Sequence, residues 1–157
     1  MAADPSPTVR RAGPRDAATV LAMVGELAAL EGGDVAGTAA RWAHVLGRDD
    51  VLVLLAEQDG EPVGYVSAVR RLHLWLGTDV LALDDLFVRD GHRDAGVGRL
   101  LMTEVARLAS AEDLVVRWEV GEDNTDAQRF YRRLGAQLWL KVVVWWPPDA
   151  QRGLLAE

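Results

Sequence analysis

The segment that most constrains this fold, residues 83–102, is a strand pattern that runs directly into a glycine-spaced helix start. Its first part, residues 83–88, is apolar but carries two acids, Asp84 and Asp85. A helix that begins just after a strand presents free backbone N–H groups and the positive end of its dipole at one place. The segment therefore predicts a seat for a phosphorylated ligand, with Arg93 as a forked cation at its rim.

The glycine spacing limits which phosphate-binding motifs fit this segment. A dinucleotide fingerprint needs G-x-G-x-x-G, but Leu101 occupies the third glycine position. A P-loop needs a lysine after its second glycine, and none follows here. What remains is R-x-x-G-x-G, residues 93–98. By itself the glycine pair is equally consistent with an ordinary tight turn whose small residues allow close packing.

A second block, residues 124–136, has the pattern of one short amphipathic helix. Asn124 is predicted to cap its start and Gly135 to end it. The apolar residues repeat at helical spacing on a single face: Ala127, Phe130, Tyr131 and Leu134. Packing accounts for Phe130 and Leu134, and it would also make Tyr131 a core aromatic whose hydroxyl finds a partner.

Taken together, the two blocks resemble the ligand-binding motifs of the GCN5-related N-acetyltransferases (GNAT), which bind acetyl-CoA. R-x-x-G-x-G resembles the pyrophosphate-binding motif of that family. N-x-x-A-x-x-F-Y-x-x-x-G-A resembles its other ligand-binding block, in which the tyrosine hydroxyl lies near the thioester sulfur. The order and separation of the blocks also match. The resemblance implies an N-acetyltransferase with acetyl-CoA as co-substrate.

The resemblance implies roles for particular residues. Backbone groups of Phe87 and Val88 are expected to bind the pantetheine, amides from Asp94 through Arg99 to hold the pyrophosphate, and Tyr131 to protonate the leaving thiolate. The expected cofactor-binding residues are Phe87, Val88, Arg93, Asp94, Ala95, Gly96, Val97, Gly98, Arg99, Asn124, Phe130 and Tyr131. Asp94 departs from the family, in which glycine usually follows the arginine. A carboxylate at this position repels a bound pyrophosphate, which is also negatively charged, unless the side chain points to solvent.

Attack on the acetyl thioester requires a neutral amine. An alkylammonium has a pKa of about 10, so deprotonating it at pH 7 costs roughly 4 kcal/mol. Asp84 is the predicted base, because L-D-D-L-F-V resembles the family's L-E-D-[LF]-[FY]-V. Neighbouring strand residues point to opposite faces, so Asp84 and Asp85 are not expected both to act directly. Aspartate is shorter than the usual glutamate, so a relaying water is expected. The chain has no cysteine, which favours direct transfer in a ternary complex over a covalent acetyl-enzyme.

Finer resemblance is to the diamine (spermidine/spermine and thialysine-type) N-acetyltransferases, through E-L-A-A-L-E at residues 26–31 and W-L-G at residues 75–77. Glu26 and Glu31 are predicted to line a cationic acceptor pocket with Trp75 as its wall and Asp84 nearest the amine. The alternative is that these acids only solvate their helix. The predicted acceptor is a small primary amine, namely a diamine, polyamine or amino-acid-like compound. An aminoglycoside or protein acceptor, or a non-catalytic CoA-binding sensor domain, stays open.

Composition limits which other classes of partner and cofactor are expected. The net charge of −7 disfavours nucleic acid and weakly suits a cationic substrate. Without cysteine there are no disulfides or zinc–thiolate sites, and the three histidines are scattered, so no metal is expected. No apolar run is long enough for a bilayer and the start lacks signal-peptide features. A cytoplasmic protein without membrane contact is predicted.

The predicted element order is β-α-α-β-β-β-α-β-α-β, which implies an α/β (α+β) mixed sheet, mostly antiparallel, with helices on both faces. This order resembles the GNAT fold, whose two central strands splay apart to admit the pantetheine. The final strand is predicted over residues 137–146. Residues 1–7 are predicted to be a disordered lead, 8–148 a single domain and 149–157 a tail. Trp145 and Trp146 indicate an apolar surface that a partner subunit covers, so a homodimer is expected.

Overall fold

The computed structural model of this chain describes residues 6–156, so most of the predicted lead, residues 1–7, lies outside the described part. Five strands are formed: β1 (Thr8–Arg11), β2 (Val51–Gln58), β3 (Glu61–His73), β4 (Thr78–Val88) and β5 (Val115–Arg117). The α-helices are α1 (Ala17–Leu30), α2 (Ala39–Leu46), α3 (Val97–Ala111), α4 (Thr125–Arg133) and α5 (Pro148–Leu155).

The strands form one mixed sheet in the order β1-β2-β3-β4-β5. The first four are antiparallel neighbours, and β5 runs parallel to β4. The parallel pair is joined through α3, because parallel neighbours need a crossover connection. The predicted mixed, mostly antiparallel sheet flanked by helices is confirmed.

Helices cover both faces of this sheet. On one face, alternate strand residues such as Leu55, Tyr65 and Phe87 pack in a buried cluster with residues of α1 and α2. On the other face, a side chain added at Gly64 would begin 3.3 Å from Val97 of α3. Because successive strand residues point to opposite faces, Gly64 and Tyr65 mark the two sides. The core therefore lies in two layers, one on each side of β2–β4.

The described residues divide into two compact units, one up to residue 119 and one from residue 120. The first contains the sheet with α1, α2 and α3, and the second contains α4 and α5. The single domain predicted over 8–148 stays a prediction. The tail predicted for 149–157 contains most of α5.

The strand predicted for residues 137–146 is wrong, because none of these residues belongs to a strand or a helix. Eight of the ten are apolar, and the side chains are largely exposed, with Val142 at 89% and Trp145 at 86%. Valine and tryptophan favour strands because they fit a pleated surface, but a strand also needs a neighbouring backbone for its hydrogen bonds. The described chain supplies no such neighbour to this segment.

The residues before α1 and α2 differ in how they meet the helix start. Asp16 precedes α1 but does not cap it with its side chain; instead its Oδ2 accepts from the N–H of Gly13 at 2.8 Å. Helix α2 begins at Ala39, where Thr38 caps it. Within residues 6–156, no helix is both long enough and apolar enough to cross a membrane. The cytoplasmic location stays a prediction.

Candidate functional site

The edge of β4 that faces β5 is open over half of its length. The two strands pair only between residues 80–82 and 115–117. Beyond Ala82, the segment Leu83–Val88 has no strand neighbour on that side within the described residues. This is the splay expected of the fold. Its outward backbone N–H and C=O groups are available to an extended ligand, as at any unpaired strand edge.

The open edge of β4 leads into the start of α3. Gly96 caps this helix with a left-handed backbone (φ 78°) and offers no side-chain acceptor. The N–H groups of Val97, Gly98 and Arg99 in the first turn therefore have no intrahelical partner. The preceding turn, from Arg93 through Gly96, is exposed. Free N–H groups at the positive end of a 15-residue helix fit phosphate oxygens.

In the turn before α3, Asp94 takes the backbone conformation that a glycine would usually supply. Asp94 adopts φ 66°, a left-handed conformation that glycine takes freely and aspartate tolerates better than most residues. Its side chain is exposed. The Arg93 Nε–H donates to the carbonyl of Val88 at 3.1 Å, and Arg93 also pairs with Asp90 at 3.3 Å. Arg93, the cation predicted for the edge of the phosphate site, therefore contacts residues of its own loop in this structure.

A groove of about 380 Å³ lies between α1 and the end of β4, lined by Glu26, Leu30, Phe87, Arg89, Asp90 and Arg93. Glu26 accepts two hydrogen bonds from Arg89, at 2.6 and 2.9 Å. The Arg89 guanidinium holds the pKa of Glu26 below its usual range. The charge of Glu26 is therefore already compensated in this structure. Its predicted role as an acceptor ligand stays a prediction.

Asp84 lies at a β-bulge. Ser67 is opposite Asp85 and Ala68 is opposite Leu83, which leaves Asp84 without a partner residue on β3. The bulge interrupts the regular alternation that was expected to send the two acids to opposite faces. Burial raises the pKa of Asp84, and the charge of Asp85 raises it further. A carboxylate with a raised pKa is better matched to accepting a proton near neutral pH.

Asp85 is anchored by Ser67. The Ser67 Oγ donates to Asp85 Oδ2 and accepts from the Asp85 N–H, each at 3.2 Å. Neither Asp84, Asp85 nor Glu31, the residue that follows α1, forms an ion pair among the described residues. These three carboxylates therefore share with several other acids of the first unit the lack of an ion-pair partner among the described residues.

The second block forms α4 as predicted. The Asn124 Oδ1 accepts from the N–H of Ala127 at 3.1 Å and caps the helix, while Gly135 follows its end with φ 90°. The Tyr131 side chain is buried at 8% exposure, and its ring contacts that of Phe130 at 5.4 Å. The helix is confirmed. The cofactor-contact and acid roles of these residues stay predictions.

Trp75 lies at the tip of the β3–β4 hairpin, where it is 95% exposed and contacts the ring of His73. Its role as a pocket wall stays a prediction. Sequence reasoning missed Ser67 and Arg89. A strand-pairing argument could have found Ser67, because it lies opposite Asp85 in the β3–β4 pair. The Glu26–Arg89 pair joins residues 63 positions apart and has no local signal. Among residues 6–156, no cluster of three metal-ligating side chains occurs.

An open strand edge that carries acids and leads into a bare helix N-terminus is typical of a protein that binds an extended, phosphate-ended ligand beside a proton acceptor. Residues 26–136 match the sequence profile of the family described as "Acetyltransferase (GNAT) family". The chain belongs to this family.

Similar proteins place the chain among acetyltransferases. It is 34% identical to a proposed acetyltransferase from Arthrobacter sp. FB24, covering 83% of this chain and 85% of that one, with a TM-score of 0.73. The aminoglycoside N-acetyltransferase AAC(6')-Iy in complex with CoA shares the fold (TM-score 0.78, 18% identity, 94% and 99% coverage). L-ornithine N5-acetyltransferase NATA1 from Arabidopsis thaliana is 38% identical over 77 residues, which are 48% of this chain. The chain spans only about a third (34%) of that relative's length.

Proposed function

We propose that this chain is an acetyl-CoA-dependent N-acetyltransferase that acts on a small primary amine, namely a diamine, polyamine or amino-acid-like compound. One observation carries the proposal. The free edge of β4 runs from the unpaired carboxylate of Asp84 directly to the phosphate cradle at the start of α3. Asp84 lies four residues before the end of the strand, about 13 Å at the usual rise. Proton acceptor and phosphate seat therefore stand at opposite ends of one extended binding edge.

Each part of this edge has a function in the proposal. The N–H groups from Asp94 through Arg99, with Arg93, hold the pyrophosphate. The outward backbone groups of Phe87 and Val88 bind the pantetheine and orient the acetyl carbonyl. Acetyl-CoA, when bound, supplies a thioester that an amine can attack.

Asp84 supplies the proton acceptor. Most of a primary amine is protonated at pH 7, and only the neutral form is nucleophilic. The pKa of Asp84 is raised by burial and by the charge of Asp85, which favours its action as a base near neutral pH. Because the aspartate side chain is short, a water relays the proton. Attack is direct, since the chain has no cysteine to carry the acyl group.

Tyr131 donates the proton that the departing thiolate needs. A phenol O–H is a hydrogen-bond donor that can pass its proton to a neighbouring thiolate. The assignment rests on the likeness of residues 124–136 to the family's second ligand-binding block, together with the formation of α4 and the burial of the Tyr131 side chain.

Two features support a small cationic acceptor. The carboxylates Asp84, Asp85 and Glu31 have no ion-pair partner among the described residues, and part of the chain is similar to an L-ornithine N5-acetyltransferase. An aminoglycoside acceptor is the second candidate. It is supported by fold likeness alone, for example to meta-AAC0020 from a soil metagenome (TM-score 0.79, 15% identity, 90% and 95% coverage).

The test is the release of free CoA from acetyl-CoA with a panel of acceptors: L-ornithine, cadaverine, an aminoglycoside and a peptide with an N-terminal alanine. We expect turnover with L-ornithine or cadaverine, and a fall in kcat of about 10²-fold or more in Tyr131→Phe. Turnover confined to the aminoglycoside or the peptide would replace the acceptor assignment. Binding of CoA without turnover on any amine would favour a sensor domain.

We also propose that the chain forms a homodimer through residues 137–146. Exposure of the apolar side chains in this segment to water costs free energy, and large exposed apolar patches mark interaction sites. The segment also has strand composition without a partner strand. A two-fold axis would bring the same segment of a second copy alongside in antiparallel orientation, so that each copy completes the other's backbone hydrogen bonds.

Light scattering is expected to give twice the mass of the 17.1 kDa chain. The double variant Val142→Lys, Val144→Lys is expected to be monomeric, because two charges would enter the apolar contact. Leu155→Lys, an equally exposed apolar position outside the segment, is the control and should remain dimeric. A monomer mass for the unmodified protein at micromolar concentration would refute the dimer.

A further inference from the structure

The turn between β4 and α3, residues 89–96, is held at its base and exposed at its far end. Arg89, its first residue, donates its backbone N–H to the carbonyl of Val63 at 2.9 Å. The carbonyl of Arg89 in turn accepts the N–H of His92 at 3.1 Å. Residues 93–96, which lead into α3, are exposed. The position of this exposed part therefore depends on how firmly the base is held.

The Arg89 side chain ties the base of the turn to two other elements. Its Nε and Nη2 donate to the two carboxylate oxygens of Glu26 on α1, at 2.9 and 2.6 Å. Its Nη1 donates to the carbonyl of Pro62 on β3 at 2.7 Å. A doubly bonded pair of arginine and carboxylate fixes the orientation of the guanidinium as well as its distance. Glu26 therefore holds Arg89, and with it the first residue of the turn, against α1.

The charge of Glu26 by itself does not suit a phosphate site. Glu26 lines the same groove as Arg93, and Arg93 holds the pyrophosphate in the proposed function. Because a carboxylate repels phosphate, electrostatics alone would favour a neutral residue at position 26. The pair with Arg89 offsets this repulsion, since the two side chains together carry no net charge. What the carboxylate contributes is therefore the orientation of Arg89.

We propose that Glu26 is a positioning residue for the phosphate-binding turn. Through Arg89 it holds the start of residues 89–96, so that Arg93 and the N–H groups at the start of α3 face the pyrophosphate of acetyl-CoA. The inference rests on the proposed function and makes it more specific, because it moves Glu26 from the acceptor pocket to the support of the cofactor site. Glu26 itself does not touch acetyl-CoA. Its replacement therefore lowers the affinity for the cofactor and leaves kcat and the KM for the amine unchanged.

The test is direct titration of CoA, without an acceptor, into the unmodified protein and into Glu26→Gln, which keeps the shape of the side chain and removes its charge. We expect the Kd for CoA to rise by about 2- to 5-fold, the range of a partly exposed ion pair. The KM for acetyl-CoA should rise similarly. Tighter binding would show that only the charge of Glu26 acts on the phosphates. An unchanged Kd, with or without a higher KM for the amine, would remove Glu26 from the cofactor site, and either result overturns the inference.

A double-mutant cycle tests whether Glu26 acts through Arg89. In an Arg89→Met background, Glu26→Gln should no longer weaken the binding of CoA, because the pair is already broken. An equal loss of affinity in both backgrounds would overturn the inference.

Asp79→Asn is the matched control. It breaks the 2.7 Å ion pair of Asp79 with Arg70, whose side chains are exposed to a similar extent as those of Glu26 and Arg89. Asp79 lies near the start of β4, at the opposite end of the strand from the turn. The control should lose similar stability in thermal unfolding and bind CoA as the unmodified protein does. Equal weakening of CoA by Asp79→Asn would trace the effect to stability and overturn the inference.

These measurements separate the inference from the proposed function. If CoA binds with the expected pattern but no amine is turned over, the proposed activity fails and the role of Glu26 stands. If amines are acetylated while Glu26→Gln binds CoA unchanged, the proposed activity stands and the role of Glu26 fails. No binding of CoA to the unmodified protein would overturn both.

Discussion

Asp84→Asn is expected to lower kcat/KM by about 10²- to 10⁴-fold, the usual contribution of a positioned general base. The substitution keeps the shape of the side chain and removes its ability to accept a proton. The pH profile gives a second signature. Because the pKa of Asp84 lies above its ordinary value of 3.8, the unmodified enzyme should lose activity on the acid side as this carboxylate becomes protonated. In the variant this fall in activity at low pH should be absent, so that the pH profile reports only the ionisation of the acceptor amine.

The loss in Asp84→Asn should not come from unfolding. A carboxylate whose pKa is raised by folding destabilises the folded state when it is ionised, so stability falls as the pH rises through that pKa. Replacement by the neutral amide should therefore leave the Tm unchanged or raise it at neutral pH. Asp59→Asn is the matched control, since Asp59 is exposed in the β2–β3 turn, and its activity should be unchanged. An Asp84→Asn enzyme with full activity and an unaltered acid limb would remove Asp84 from the mechanism.

Gly96→Val is expected to raise the KM for acetyl-CoA by about 5- to 150-fold, the equivalent of 1–3 kcal/mol of backbone strain. Gly96 has φ 78°, and a β-branched residue is strongly disfavoured there. The turn must change its backbone conformation to accept valine. The N–H groups at the start of α3 then no longer point at the phosphate oxygens. An added Cβ itself meets nothing within 4 Å, so the effect would come from the backbone rather than from a clash.

Gly60→Val separates this effect from general strain. Gly60 has φ 82° in the β2–β3 turn, and an added Cβ there also meets nothing within 4 Å. Both variants should lose similar stability in thermal unfolding. Only Gly96→Val should weaken acetyl-CoA, as measured by KM and by direct titration of CoA. If Gly60→Val weakens acetyl-CoA equally, the start of α3 is not the phosphate cradle.

The elements near the candidate site were predictable because their signals are local. The pattern of residues 83–102 predicted a strand, a glycine turn and a helix, and β4 and α3 are found there. The cap of α4 by Asn124 was predicted from a single residue type, since its side chain bonds the N–H three residues later. The segment 137–146 shows the limit of such signals. Its composition favours a strand, but strand formation depends on a neighbour that composition cannot supply.

The sequence by itself determined the family, the order of the elements as far as α4 and the positions of the two motif blocks, because spacing along the chain sets helix faces, caps and turns. Only the tertiary structure decided how the acids are placed. A one-residue bulge opposite Ser67 sets Asp84 apart from Asp85. A pairing across 63 positions neutralises Glu26 through Arg89, and the contact of Ser67 with Asp85 forms only once β3 and β4 are in register. Strand register and ion pairing join residues distant in the chain, so the chain's local pattern does not encode them.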